Sequence, residues 1–214
     1  LSQPANQSGF WDQAAAAKEF THPLDHLRLR RALALDAAIL DYGCGQGRIC
    51  GQLAQLGYQN LLGVDFSEQM IRTAKARNPD LSFSVVDGRG LPYANGTFDA
   101  VLLIAVLTCI PSDAAQRSLI AELSRVLRPG GLLLVSDYPL QTDERNQGRY
   151  ELFADQFGNY GTFRLSDGAV VRHHRREWFN ELLAGYSIEE TVELDAKTMN
   201  GNPAHILQFW SRRK

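Results

Sequence analysis

The stretch from Ile39 to Arg48 constrains this chain more than any other. An apolar run (Ala38, Ile39, Leu40) ends in an acidic residue, Asp41, and glycines follow at 43, 45 and 47. An amphipathic segment begins at once, with Ile49, Leu53 and Leu56 on one face. Glycines at alternate positions let the backbone turn sharply and let a ligand lie against main-chain atoms. Strand, glycine-rich turn and helix N-terminus together predict a nucleotide-type crevice at the carboxyl edge of a parallel sheet.

The spacing narrows the ligand. A dinucleotide fingerprint needs G-x-G-x-x-G, with the last glycine permitting close helix–strand packing. Arg48 stands at that third position, so the fingerprint fails. Asp41 beside the turn would repel a pyrophosphate but suits a ligand carrying an ammonium or sulfonium charge. The run resembles motif I of the class I S-adenosylmethionine-dependent methyltransferases, hydrophobic-(L/V)-(D/E)-hydrophobic-G-C-G-x-G, and matches it throughout.

Further motifs follow in order. Leu61 to Asp65 reads as a short buried strand ending in a carboxylate, with Ser67 placed to cap a helix starting near Glu68. A third segment, Leu81 to Asp87, alternates like a strand and ends before Gly88. Phe98-Asp99-Ala100-Val101 resembles the family's "FDxV" strand opening, and Leu127-Arg128-Pro129-Gly130-Gly131 its "LKPGG" turn. The resemblance implies a cofactor set of Asp41, Gly43, Cys44, Gly45, Gly47, Asp65, Phe66, Met70, Asp87, Gly88, Arg89 and Ile104. Within it Asp65 would take the ribose hydroxyls and Asp87 the adenine amino group. Met70 would pack near the adenine, with Ile104 and Arg89 contributing main-chain contacts. The plainer alternatives are a helix-flanking role for Asp65, turn chemistry for Asp87, and a size requirement for Cys44.

Composition sets bounds. At 214 residues the chain suits one α/β domain with a full core. A net charge of −2 argues against a general polyanion binder. Three cysteines without paired metal-ligand spacing read as free thiols in a reducing compartment, and no metal is expected. The most apolar run, Ala100 to Ile110, is too short for a bilayer, and no basic segment followed by an apolar run opens the chain. The chain opens at Leu1 rather than Met, which leaves room for a few native residues ahead of it. The expectation is a cytoplasmic protein, monomer or homodimer, without a membrane partner.

Alternation of strands (37–42, 60–65, 81–86, 99–104, 131–136) with helices (47–56, 67–77, 113–127, 173–185) predicts a parallel sheet covered on both faces. Residues 187–194 and 204–210 read as two more strands, and helices are expected over 8–20 and 23–34. The fold class is therefore α/β, doubly wound. The resemblance implies a seven-stranded, mostly parallel sheet in the order 3-2-1-4-5-7-6 with the last strand antiparallel. Residues 1–36 would form a helical lid and 37–214 the core, with an insertion at 138–171 serving as an acceptor cap.

The acceptor side lies outside the common motifs. Trp11 and Phe20 are candidates for lid aromatics or ordinary packing, and His22 for a site role. In the insertion, 161–165 and 169–173 read as a hairpin around Ser166-Asp167-Gly168. The preceding helix offers Tyr150 and Phe153, so this region would form an acceptor pocket or an oligomer contact. Arg172-His173-His174-Arg175-Arg176 is the densest polar cluster. It reads as a general base (His173 or His174), an anion clamp (Arg172) or a solvated helix start.

After the fourth strand, Leu103 to Thr108 lacks the (N/D)-P-P-(Y/F) motif of enzymes that methylate exocyclic amines or glutamine amides. It resembles the small-molecule branch, yet Thr108-Cys109 replaces that branch's His pair. A base would therefore come from His22, His173, His174 or a tyrosine such as Tyr138. Methyl transfer asks mainly for alignment and exclusion of water. The expectation is in-line transfer from S-adenosylmethionine, leaving S-adenosylhomocysteine, to an O, N, S or C nucleophile of a small molecule. The rivals are a tRNA-modifying enzyme using Arg172, Arg175, Arg176 and the Arg212-Arg213-Lys214 tail against phosphates, and a non-catalytic cofactor-binding protein.

Overall fold

A computed structural model describes residues 8–14, 21–88 and 90–214. Its centre is a seven-stranded sheet of β1 (Ala38–Tyr42), β2 (Asn60–Asp65), β3 (Ser82–Val85), β4 (Phe98–Ile104), β5 (Leu127–Asp137), β8 (Tyr186–Lys197) and β9 (Pro203–Arg213). The order is β3-β2-β1-β4-β5-β9-β8. The first five strands pair in parallel, and β9 runs antiparallel to both β5 and β8. This is the 3-2-1-4-5-7-6 arrangement that the motifs implied.

Alternation along the central strands explains why both faces are covered. Leu40, Val101, Leu103, Leu133 and Val135 join one buried cluster with α5 (Asp113–Val126) and α7 (Arg176–Leu182). Their neighbours Ile39, Ala100, Leu102, Leu132 and Leu134 point the other way, into a cluster with α2 (His26–Ala32) and α3 (Arg48–Gln55). Leu29 and Leu33 belong to that second cluster, so α2 is part of the sheet-covering layer. α4 (Glu68–Arg77) packs Ile71 and Ala74 against Cys50 and Phe83.

The connection after β5 has its own small core. It contains α6 (Glu144–Phe157) and the hairpin β6 (Thr162–Arg164) and β7 (Val170–Arg172). Tyr150, Phe163, Ala169 and Val171 form a buried cluster there, with Phe10 of α1 (Ser8–Ala14) packed against it. α6 starts where Asp143 accepts from the Asn146 amide and stops at Gly158 in a left-handed conformation.

Two local expectations need correction. The helix expected over 173–185 spans only Arg176–Leu182. His173 and His174 instead continue the hairpin as extended chain, their amides donating to Gly161 O and Tyr138 O. The strand expected over 131–136 starts at Leu127, with a register shift opposite Phe98 and Ala100. The helix expected over 8–20 is described only as Ser8–Ala14.

Candidate active site

The carboxyl edges of β1, β2 and β4 open into one continuous cleft of about 1910 Å³ that extends under α6 and the hairpin. That is larger than an ordinary ligand pocket of roughly 300–1,000 Å³ and leaves space for two molecules side by side.

The glycine turn is shaped by its backbone. The Gly43 and Cys44 amides donate to the Val64 carbonyl at 2.8 and 3.0 Å, tying the end of β1 to the end of β2. Gly43 and Gly45 hold φ of 73° and 53°, values that disfavour a side chain. Asp65 crosses the turn: Oδ2 accepts from the Gly45 amide and Oδ1 from the Ser67 amide, both at 2.9 Å. Each carboxylate oxygen retains a second acceptor direction. Burial raises the Asp65 pKa against these hydrogen bonds.

Asp41 lies deeper, 2% exposed, and accepts from the Cys50 thiol at 3.4 Å. Burial pushes its pKa up to about 7, opposed by the Cys50 bond and by Arg48. Cys44 lines the cleft but packs with Phe83 and Ile71, and burial raises its thiol pKa. Phe66, Met70, Asp87, Gly88 and Ile104 also line the cleft. Gly47 does not: it caps α3 in a left-handed conformation, where a Cβ would stand 2.8 Å from Phe83 Cζ. Its role is helix–strand packing, a correction to its place in the cofactor set. Arg89 and Phe20 lie outside the described residues.

α1 covers this end of the cleft. Asp12 Oδ1 accepts from the Ser67 hydroxyl at 2.5 Å and from the Gln69 amide at 3.2 Å, next to the Ser67 that caps α4. Trp11 packs on Met70 and lines the cleft.

The cap end is built from Tyr138, His173, Phe163, Arg145, Asn146 and Arg149. His173 is 6% exposed, stacks on Tyr138 at 5.2 Å between centroids, and meets Phe163 edge-on at 5.0 Å. Its Nδ1 lies 2.6 Å from Tyr150 Oη. Burial, reinforced by Arg149 and Arg145, lowers its pKa to about 3. A group with that pKa is a poor proton acceptor at neutral pH, so the general-base expectation for His173 is not supported by its surroundings. His22 faces the same difficulty. It lines the cleft, with Nδ1 3.4 Å from Ser136 Oγ, and burial lowers its pKa to about 4.

Four other expectations change more sharply. His174 is absent from the cleft wall: its Nε2 lies 2.8 Å from Gln116 Nε2, inside a buried network that also binds Trp178. Arg172 is no anion clamp, because its guanidinium is held by Asp113 and the Pro111 carbonyl and sits over Trp178. Tyr150 acts behind the wall through His173, and Phe153 packs into the cap's own core.

Asp137 was not anticipated from the sequence. Wholly buried at the end of β5, it accepts from the Thr108 amide at 3.2 Å and the Tyr138 amide at 2.8 Å. It thereby holds the turn after β4, where Ala105 takes a φ of 56° beside the cleft. Burial pushes its pKa up to about 7. Arg145 and Arg149 were also missed; their i, i+4 spacing was the available signal.

The strand order, with the glycine turn at its carboxyl edge, defines a doubly wound, Rossmann-like fold. Residues 39–131 match the methyltransferase domain family. It is 34% identical to a demethylmenaquinone methyltransferase of Beutenbergia cavernae, over 63% of this chain and 59% of that protein. It is 28% identical to the human tRNA N(3)-cytidine methyltransferase METTL2B, over 80% of this chain and 47% of that protein. The chain thus spans about 60% of the length of the demethylmenaquinone methyltransferases it matches. A solved S-adenosylmethionine-dependent methyltransferase of Methanosarcina mazei shares the fold with a TM-score of 0.84 at 23% identity, covering 90% of this chain and 99% of that one. Among the described residues no helix is long and apolar enough to cross a membrane.

Proposed function

We propose that this chain binds S-adenosylmethionine at the glycine-turn end of the cleft and directs its methyl group to a small-molecule acceptor held under the cap. The observation that carries the reading is Asp65. Its carboxylate is fixed by the Gly45 and Ser67 amides at the mouth of a cleft that continues into a separate aromatic chamber. The donor set fits the cofactor: a carboxylate with spare acceptor directions for a diol, beside a bare glycine backbone.

When bound, S-adenosylmethionine supplies an electrophilic methyl group on a sulfonium. The chain's own residues align and enclose. Trp11 and Met70 pack over the cofactor end, and the turn at Ala105–Thr108, held by Asp137, forms the floor between the two ends. Tyr138, Phe163 and His173 wall the acceptor end and exclude water. Alignment of this kind is the main requirement for an in-line displacement.

A tRNA substrate is the second reading, favoured by the resemblance to the cytidine enzyme. The cations it would use are largely engaged. Arg172 pairs with Asp113, Arg176 with Glu193 and Arg212 with Glu189, while Lys214 Nζ donates to Ala184 O. The small-molecule reading is therefore preferred.

Thermal unfolding with S-adenosylmethionine and S-adenosylhomocysteine tests the cofactor site in wild type and Asp65→Ala. Ligand at about a hundred times its dissociation constant adds roughly 2.7 kcal/mol, or roughly 5–11 °C. The shift should appear in wild type and vanish in the variant; no shift with either ligand refutes the reading.

A further inference from the structure

The hydrogen bonds behind His173 fix which of its nitrogens carries the proton. The Gln141 amide donates to Tyr150 Oη at 3.0 Å, and an N–H cannot accept in return. The Tyr150 hydroxyl proton then has one partner, His173 Nδ1 at 2.6 Å. Nδ1 is therefore the acceptor, and the neutral ring carries its proton on Nε2. Nε2 makes no hydrogen bond to the described residues; the ring packs among Tyr138, Tyr150 and Phe163 and lines the cleft. This N–H is open to the cleft, where a ligand oxygen can accept from it.

The cations beside it point to the ligand's charge. Arg145 and Arg149 lie one turn apart on α6, and both line the chamber. Arg149 is half-buried over the Phe163 ring and donates to the Asn146 side-chain oxygen at 3.3 Å, with no carboxylate partner among the described residues. Arg145 has a loose contact with Asp143 at 3.7 Å, and Asp143 is already engaged in capping α6. No carboxylate of the described residues lines the cap end, whereas Asp12, Asp41, Asp65 and Asp87 line the cofactor end. The field of both guanidiniums at His173 helps keep its ring neutral, and hence a donor through Nε2 only.

We propose that the cap chamber recognises its acceptor through an oxyanion, a carboxylate or a phosphate monoester, received by the Nε2–H of His173 and by the guanidiniums of Arg145 and Arg149. This deepens the small-molecule methyl-transfer reading and rests on it for the word acceptor. His173 is then a binding group, oriented by Tyr150, and not a base. Charge-assisted hydrogen bonds from planar guanidiniums suit both kinds of oxyanion.

The test uses the full chain saturated with S-adenosylhomocysteine and titrated calorimetrically with benzoate, phenyl phosphate and the neutral isostere benzamide. At least one anion should bind tenfold or more tightly than benzamide, and the preferred anion tells carboxylate from phosphate. The Arg145→Gln/Arg149→Gln variant should lose that preference while binding S-adenosylhomocysteine as wild type does. Nitrogen NMR of wild type should show His173 neutral and protonated at Nε2 from pH 5 to 8. Benzamide binding as well as both anions, an undiminished preference in the double variant, or a proton on Nδ1 would overturn the proposal. Repeating the titration without S-adenosylhomocysteine separates the two readings. If that ligand does not bind but the anion preference holds, the cofactor reading fails and the oxyanion site stands.

Discussion

Asp65 Oδ2 accepts a 2.9 Å hydrogen bond from the Gly45 amide, twenty residues upstream. The bond joins the two loops that any ligand at this edge must touch, so Asp65 both shapes the glycine turn and presents acceptors to the cleft. Asp65→Asn separates these roles. The amide oxygen can keep the Gly45 bond, but one oxygen and the charge are lost. Calorimetry should show S-adenosylhomocysteine bound about 10–100-fold more weakly, as expected for loss of a charged acceptor worth about 1.5–3 kcal/mol. An unchanged affinity would remove Asp65 from the cofactor site.

Asp41 links stability to pH. Burial raises its folded pKa to about 7, from an ordinary value of 3.8. Between those values the folded state holds a proton that the unfolded state has released, so this group's contribution falls as pH rises from about 4 to about 7. Asp41→Asn should therefore gain stability relative to wild type across that window, by up to about 4 kcal/mol at the plateau. The buried histidines act in the opposite direction: with folded pKa values of about 3 to 4, they favour folding more as pH rises toward 6.5. Their effect cancels in the difference between the two proteins. Urea unfolding at pH 4 and pH 8 checks it, and a pH-independent difference counts against a buried, proton-holding Asp41.

Gly47 and Gly45 should fail in different ways. Alanine at 47 meets both a φ of 76° and Phe83 Cζ at 2.8 Å, away from the cleft. Alanine at 45 also carries a positive φ, of 53°, but its nearest neighbour is Met70 Sδ at 3.9 Å, inside the cleft. Gly47→Ala should lose more than Gly45→Ala in urea unfolding, by about 1–3 kcal/mol. Gly45→Ala should lose more affinity for S-adenosylhomocysteine. The reverse ranking would return Gly47 to the ligand surface.

Much of this was readable from one dimension because it is local. The turn after β1, the capping Ser67 and the carboxylates that end β1 and β2 are consecutive or nearly so. Their geometry follows from glycine's freedom and from side chains bonding amides two or three residues on. The cap was legible only as a hairpin and an aromatic helix. The roles of His173, His174 and Arg172 were not, because neighbours far away in sequence decide them: Tyr150, Gln116 and Asp113. Three adjacent polar residues looked equivalent, yet extended chain sends alternate side chains to opposite sides.

By itself, then, the sequence carried the resemblance to a methyltransferase family, the strand order that this resemblance implies and the carboxylates that end β1 and β2. Short-range backbone chemistry and hydrophobic period are written in consecutive residues. Only the tertiary structure decided that His174 and Arg172 are bound away from the cleft, that Gly47 serves packing, and that His173 stands neutral beside Arg145 and Arg149. Burial and long-range hydrogen bonding set protonation and orientation, and neither exists until the chain has closed around the group.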